Sequence, residues 1–135
     1  MIFIDSWVWL EYFQDDDKSE EAEKVLEEIR QDGGLICTTV LMEVRYQVRK
    51  KYDEQTADKL TAYISSFENL RIMPITEESA LRAADIREKY YHRKENPISY
   101  ADSIHIAAAE LADCKTLYSG DPDFENIEEV KTEII

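Results

Sequence analysis

Glycine and proline are scarce, with three of each in 135 residues. That scarcity excludes a low-complexity or collagen-like chain, and 44% hydrophobic residues is the composition of an ordinary globular protein. No internal repeat is visible, which removes the solenoid architectures. Cysteine is limited to Cys37 and Cys114, without CxxC spacing, so neither a zinc site nor a disulfide framework is expected. They read as small core residues and suit a reducing compartment. Long apolar runs are missing as well: the opening MIFI is far short of the ~20 residues that a membrane span needs, and no basic segment leads into a signal-like core. The expectation is one domain over residues 1–135, cytoplasmic and without membrane association.

Basic residues are also in short supply, 16 Lys and Arg against 30 Asp and Glu, for a net charge of −14. Taken over the whole chain this argues against a nucleic-acid partner, because phosphate binding rests on Lys and Arg displacing counterions. The distribution weakens that argument. Residues 11–32 and 121–135 hold nearly all of the excess, and the middle of the chain is close to neutral. Two basic clusters interleaved with tyrosine lie there, RYQVRKKY (Arg45 to Tyr52) and REKYYHRK (Arg87 to Lys94).

What the sequence does contain is a regular alternation. MIFI, LIC (Leu35 to Cys37), LRIMPI (Leu70 to Ile75) and TLYS (Thr116 to Ser119) are short apolar runs of the kind that form buried strands, and the tail VKTEII reads as an edge strand. Between them Ala22, Val25, Leu26 and Ile29 repeat with helical spacing before Gly33, a C-cap residue. Val40, Val44 and Val48 follow Thr39 as its candidate N-cap, and Ala57, Leu60, Ile64 and Phe67 mark a further helix. Thr76 and Ser99 are expected to cap the segments 77–91 and 100–112. Strands alternating with amphipathic helices predict an α/β fold with an open parallel sheet covered on both faces. In such sheets ligands bind beyond the carboxyl ends of the strands.

Acidic residues recur at that edge. Asp5 ends the first strand, and an N-cap explains it about as well as a site does. Glu43 stands four residues after Thr39, one too many for a capping box, and taken alone suits a surface position. Asp102, three after Ser99, could serve the cap, yet its helix carries Ala101, Ile104, Ile106 and the AAA run and must be packed on much of its surface. Burying an unpaired charge there is costly. Asp121, with Pro122 and Asp123, starts a short helix after the fourth strand. Together the four carboxylates converge on one edge, where two charges about 5 Å apart repel by roughly 3 kcal/mol at an effective dielectric of ~20. A divalent cation converts that repulsion into binding, and an all-oxygen site suits Mg²⁺ or Mn²⁺ and phosphoryl chemistry.

In order, FIDS with Asp5, TTVLMEV with Glu43, YADSIHIAAA with Asp102 and SGDPDF with Asp121 resemble the PIN-domain ribonucleases, in particular the small VapC-like toxins of toxin–antitoxin pairs. The resemblance covers essentially the whole chain. It implies a three-layer α/β/α sandwich with a central parallel sheet, a Mg²⁺ or Mn²⁺ site, and endonuclease activity on single-stranded or loop RNA. It makes Asp5, Glu43, Asp102 and Asp121 the catalytic, metal-binding quartet, with Asp123 as a further ligand. Ser6 and Ser119 become hydrogen-bonding supports of the acids, although a turn or cap explains either equally well. The resemblance also implies a homodimer and a cognate antitoxin that covers the active site.

RNA contact would fall to Arg45, Arg49, Lys50, Arg93 and Lys94, with Tyr90 and Tyr91 as stacking surfaces. Solvated helix faces and core tyrosines account for the same residues. Trp7, Trp9, Tyr12 and Phe13 form an aromatic stretch beside the site, His105 reads as a packed core histidine, and His92 as exposed. A haloacid-dehalogenase-like phosphatase would need an aspartate where Trp7 stands, and a receiver domain would need paired acids after the first strand and a lysine after the last. A noncatalytic PIN-fold module that binds RNA or protein remains the alternative.

Overall fold

The computed structural model describes residues 1–135. Strand β1 (Ile2–Ile4) leads into α1 (Ser6–Gln14) and α2 (Ser19–Asp32), then β2 (Gly34–Cys37), α3 (Thr38–Lys51), α4 (Glu54–Ser65) and β3 (Leu70–Met73). Helices α5 (Glu77–Tyr90) and α6 (Tyr100–Leu111) precede β4 (Thr116–Ser119), a 3-10 turn at Pro122–Phe124, and β5 (Thr132–Ile134). All strand pairs are parallel, in the order β3-β2-β1-β4-β5. Ile2, Phe3 and Ile4 of the central strand are fully buried, as a strand covered on both faces must be.

The order explains the layers. From β1 to β3 the chain steps outward in one direction, and right-handed crossovers put α1 to α4 on one face. The return from β3 to β4 runs the other way, which puts α5 and α6 on the opposite face. The result is an α/β/α sandwich in which α6 packs on β1, β2 and β4. The direction reverses between β1 and β4, so their carboxyl ends flank the crevice where parallel sheets hold ligands.

Most local signals hold. Gly33 ends α2 at φ 87°, a conformation that favours glycine. Thr76 forms a reciprocal capping box with Ser79, Ser99 does the same with Asp102, and the tail is the β5 edge strand. Thr39 departs from expectation: α3 already begins at Thr38, and the buried Thr39 hydroxyl turns inward to Cys37 Sγ (2.7 Å) and His105 Nε2 (2.9 Å). Strand β3 stops at Met73, before Pro74, which has no N–H to donate to a sheet. The aromatic stretch divides: Trp9 is fully buried, whereas Tyr12 and Phe13 are half-buried against Tyr63 and Tyr52. Tyr90 is no free stacking surface, since its hydroxyl donates to Glu129 (2.5 Å) and accepts from the Glu128 N–H.

Candidate functional site

Asp5, Glu43, Asp102 and Asp121 line one cleft of about 470 Å³ at the carboxyl edge of the sheet. Each comes from a different place in the chain: the end of β1, the second turn of α3, the first turn of α6, and the exit of β4. Trp7, Leu10, Met42 and Tyr46 supply apolar wall, and Ser6 and Gln47 complete it.

Asp5 is the deepest of the acids, 4% exposed. One carboxylate oxygen caps α1 by accepting the Trp7 N–H (3.0 Å), and the other accepts the Ser119 hydroxyl (2.6 Å). Both expected roles therefore coexist, cap and cleft wall. Burial, with Asp102 and Glu43 close by, pushes this carboxyl up to about 8, against the lowering effect of the Ser119 bond. Glu43 is not the surface residue that its helix position suggested. Its side chain is 28% exposed, accepts from Ser6 Oγ (3.2 Å), and is raised to about 7 by burial and then by Asp102.

The other acids are half-buried. Carboxylate oxygens of Asp102, Asp121 and Asp123 lie within 4.8 Å of one another. Asp102 also closes the capping box of α6, accepting the Ser99 N–H at 3.1 Å, while Asp121 accepts the Asp123 N–H at 2.9 Å. Burial raises Asp102, with Asp121 and Asp123 adding to the effect, and burial and Asp121 raise Asp123. Asp102 and Asp121 each keep a second carboxylate oxygen without a protein donor.

The two serines bridge these groups. Ser119 donates to Asp5 and accepts the Asp121 N–H (3.0 Å), so one hydroxyl joins the ends of β1 and β4. Ser6 ties the start of α1 to Glu43 of α3. Beneath Glu43 lies His105, fully buried, with Nε2 3.6 Å from the Glu43 carboxylate and 2.9 Å from Thr39 Oγ1. Burial depresses its pKa to about 3, so the imidazole is neutral. Nδ1 has no partner, and an orphaned lone pair is cheaper than an orphaned N–H, which favours the tautomer protonated on Nε2.

Among the basic residues, Arg45, Arg49 and Lys50 lie on α3 beside the cleft, and with Met42 and Tyr46 they line a second hollow. Arg93 and Lys94 belong to an exposed turn and line neither. His92, also exposed, accepts backbone N–H groups of that turn. Several contributors were not singled out in the sequence, Leu10 and Gln47 among them. Met42 and Tyr46 flank Glu43 at −1 and +3, positions that helical periodicity puts on neighbouring faces. Gly120 matters for space: a Cβ there would fall inside the Trp7 indole, which packs directly over it.

Comparison with solved structures finds the same architecture. A VapC20 from Mycobacterium tuberculosis, described as a sarcin-ricin loop cleaving toxin, superposes with a TM-score of 0.77 at 19% identity, covering 96% of this chain and 98% of that one. A toxin–antitoxin complex from Klebsiella pneumoniae gives 0.72 at 23% identity and full coverage of both chains. VapBC2 of Rickettsia felis, bound to a DNA fragment from its promoter, gives 0.76 at 18% identity, covering 99% and 98%. Comparison with curated proteins gives no significant match. The model of the PIN domain matches residues 2–130, nearly the full length, and by that match the chain belongs to the PIN-domain family.

Proposed function

We propose that this protein is a metal-dependent endoribonuclease, the toxin of a toxin–antitoxin pair, that hydrolyses phosphodiester bonds of single-stranded or loop RNA. The observation that carries the reading is the convergence of Asp5, Glu43, Asp102 and Asp121 from four separate elements on one cleft. Packing alone gives no reason to bring four like charges together, since each raises the cost of ionising the next. The toxins and toxin–antitoxin complexes that share the fold support the same assignment.

The donor set fits a divalent cation of the Mg²⁺ or Mn²⁺ type: it is all oxygen, and one carboxylate oxygen each of Asp102, Asp121 and Asp123 already lies within 4.8 Å of the others. Asp5, Glu43, Asp102 and Asp121 would hold it, with Asp123 at the outer side. Bound there, such an ion supplies neutralisation of phosphate charge and a water of lowered pKa. The chain's own groups do the positioning. Ser119 fixes Asp5 and the Asp121 backbone in one geometry, Ser6 fixes Glu43, and Trp7 and Leu10 keep one wall apolar. His105 is sealed beneath the cleft and neutral, so it supports Glu43 rather than exchanging protons with substrate. No helix is long and apolar enough to cross a membrane. A small antitoxin covering the cleft and a homodimeric assembly complete the reading.

The test is cleavage of a panel of structured RNAs with Mg²⁺ or Mn²⁺, alongside an EDTA-treated sample and Asp102→Asn. Cleavage lost in both controls is expected. Cleavage that survives both would overturn the reading, and a protein neither stabilised by the ion nor active would be the noncatalytic binding module instead.

A further inference from the structure

An RNA strand meets a chain with 30 acids and 16 bases, and its target cleft is walled by carboxylates. General attraction is therefore absent, and a local surface must draw the strand in. The outward side of α3 has that chemistry. Met42, Tyr46, Arg49 and Lys50 follow the helical repeat, and Met42 and Tyr46 are 60% and 59% exposed. They bound a hollow of about 520 Å³, and the same two side chains also wall the acid cleft, so the two depressions meet across them.

The cations along this face are not equivalent. Arg45 is engaged by Asp58 (2.7 Å) and Glu54 (3.9 Å) of α4. Arg49 and Lys50 form no ion pair at all. Lys50 Nζ instead lies 5.7 Å from the centroid of the Tyr46 ring. An exposed ring with unpaired cations beside it, one of them over the ring itself, is the combination that holds single strands, bases stacking on aromatic faces and phosphates meeting the charges.

We propose that α3 carries the strand-entry platform of this nuclease: a nucleobase beside the scissile phosphate stacks on Tyr46 and Met42, and Arg49 and Lys50 take the neighbouring phosphates. The proposal rests on the nuclease reading. The stretch from Glu43 to Lys50 is about 10 Å of helix, room for a few nucleotides. Stacking accepts any base but requires it unpaired, so the platform selects single strands and loops over duplex without reading a sequence. A protein partner would also cover Met42 and Tyr46, but two free cations on a molecule of charge −14, next to an acid cleft, match phosphate better.

The experiment is fluorescence anisotropy with a labelled, mixed-sequence oligoribonucleotide of about ten nucleotides, single-stranded or annealed to its complement, in EDTA so that binding is read without turnover. Tyr46→Ala should weaken single-strand binding about tenfold and Tyr46→Phe should restore it. Arg49→Ala with Lys50→Ala should lower the salt dependence of log K by about 1.4, as loss of two phosphate contacts requires, and Arg93→Ala with Lys94→Ala should change neither quantity. Wild-type binding that the α3 variants leave intact overturns the platform, whatever the cleavage assay shows. Binding lost in the variants of a protein that never cleaves upholds the platform and overturns the nuclease reading. No binding by the wild-type protein, or equal binding of duplex, overturns the platform and assigns the face to a protein partner.

Discussion

The inner and outer halves of the acid cleft hold their carboxylates by different means. Inside, Asp5 is shielded from water and Glu43 is half-buried, each receives a serine hydroxyl, and both are raised far above the ordinary carboxylate range. Outside, Asp102, Asp121 and Asp123 are half-buried, and Asp102 and Asp121 are held by backbone N–H groups at helix starts. The inner pair is thus expensive to ionise and pre-positioned by hydroxyls, while Asp102 and Asp121 each retain a carboxylate oxygen that no protein group engages. A divalent cation held by these carboxylates would lower the cost of ionising Asp5 and Glu43.

The largest expected effect comes from breaking the inner half. Asp5→Asn should reduce RNA cleavage by more than about a hundredfold. It should also raise the thermal midpoint of the cation-free protein at pH 8, because a buried charge is removed; a lower midpoint there would mean that Asp5 is mainly a cap. Next in size is the pH response. In the cation-free fold Asp5 keeps its proton up to about pH 8 and Glu43 up to about pH 7, whereas the unfolded chain loses both near pH 4. The folded state then binds more protons, so this contribution to stability is full below about pH 4 and lost as pH rises to about 8. Thermal scans in EDTA should show a midpoint falling by at least roughly 5 °C between pH 5 and 8, and Mn²⁺ should reverse the fall. A flat profile would place the two carboxyls in water.

Smaller effects sharpen the link between the halves. Ser119→Ala removes the hydroxyl shared by Asp5 and the Asp121 N–H, and should lower cation affinity in a titration about 10–100-fold while the protein stays folded. Gly120→Ala should displace Trp7, seen as a shift in tryptophan emission, with a lesser loss of cleavage. Asp123→Asn, at the outermost position, should change activity by less than about tenfold; a loss equal to that of Asp5→Asn would erase the distinction between inner and outer acids.

Much of this site was legible because its acids follow strands or open helices, and the order of apolar runs implies where those elements end. The ambiguity of Asp5, Asp102 and Asp121 had a physical origin: a carboxylate that caps a helix at the sheet edge also faces the crevice, and one side chain serves both purposes. Glu43 was harder, since only the packing of α3 against α1 turns that helix face into a wall. Thr39 was misjudged as a cap because helical periodicity does not reveal a partner 66 residues away, here His105. Tyr90 likewise looked available until the C-terminal segment supplied Glu129.

The pairing of β1 with β4 places residues Ile2–Ile4 beside Thr116–Leu117–Tyr118 at the middle of the sheet. On the ribosome, β1 therefore waits for β4, about 110 residues later in the chain. Until translation has passed Asp121, Asp5 has neither its serine nor its opposite wall, and the cleft is incomplete. A copy that ends before β4 never assembles the four-acid cleft, because Asp121 and one flank of the crevice are then missing.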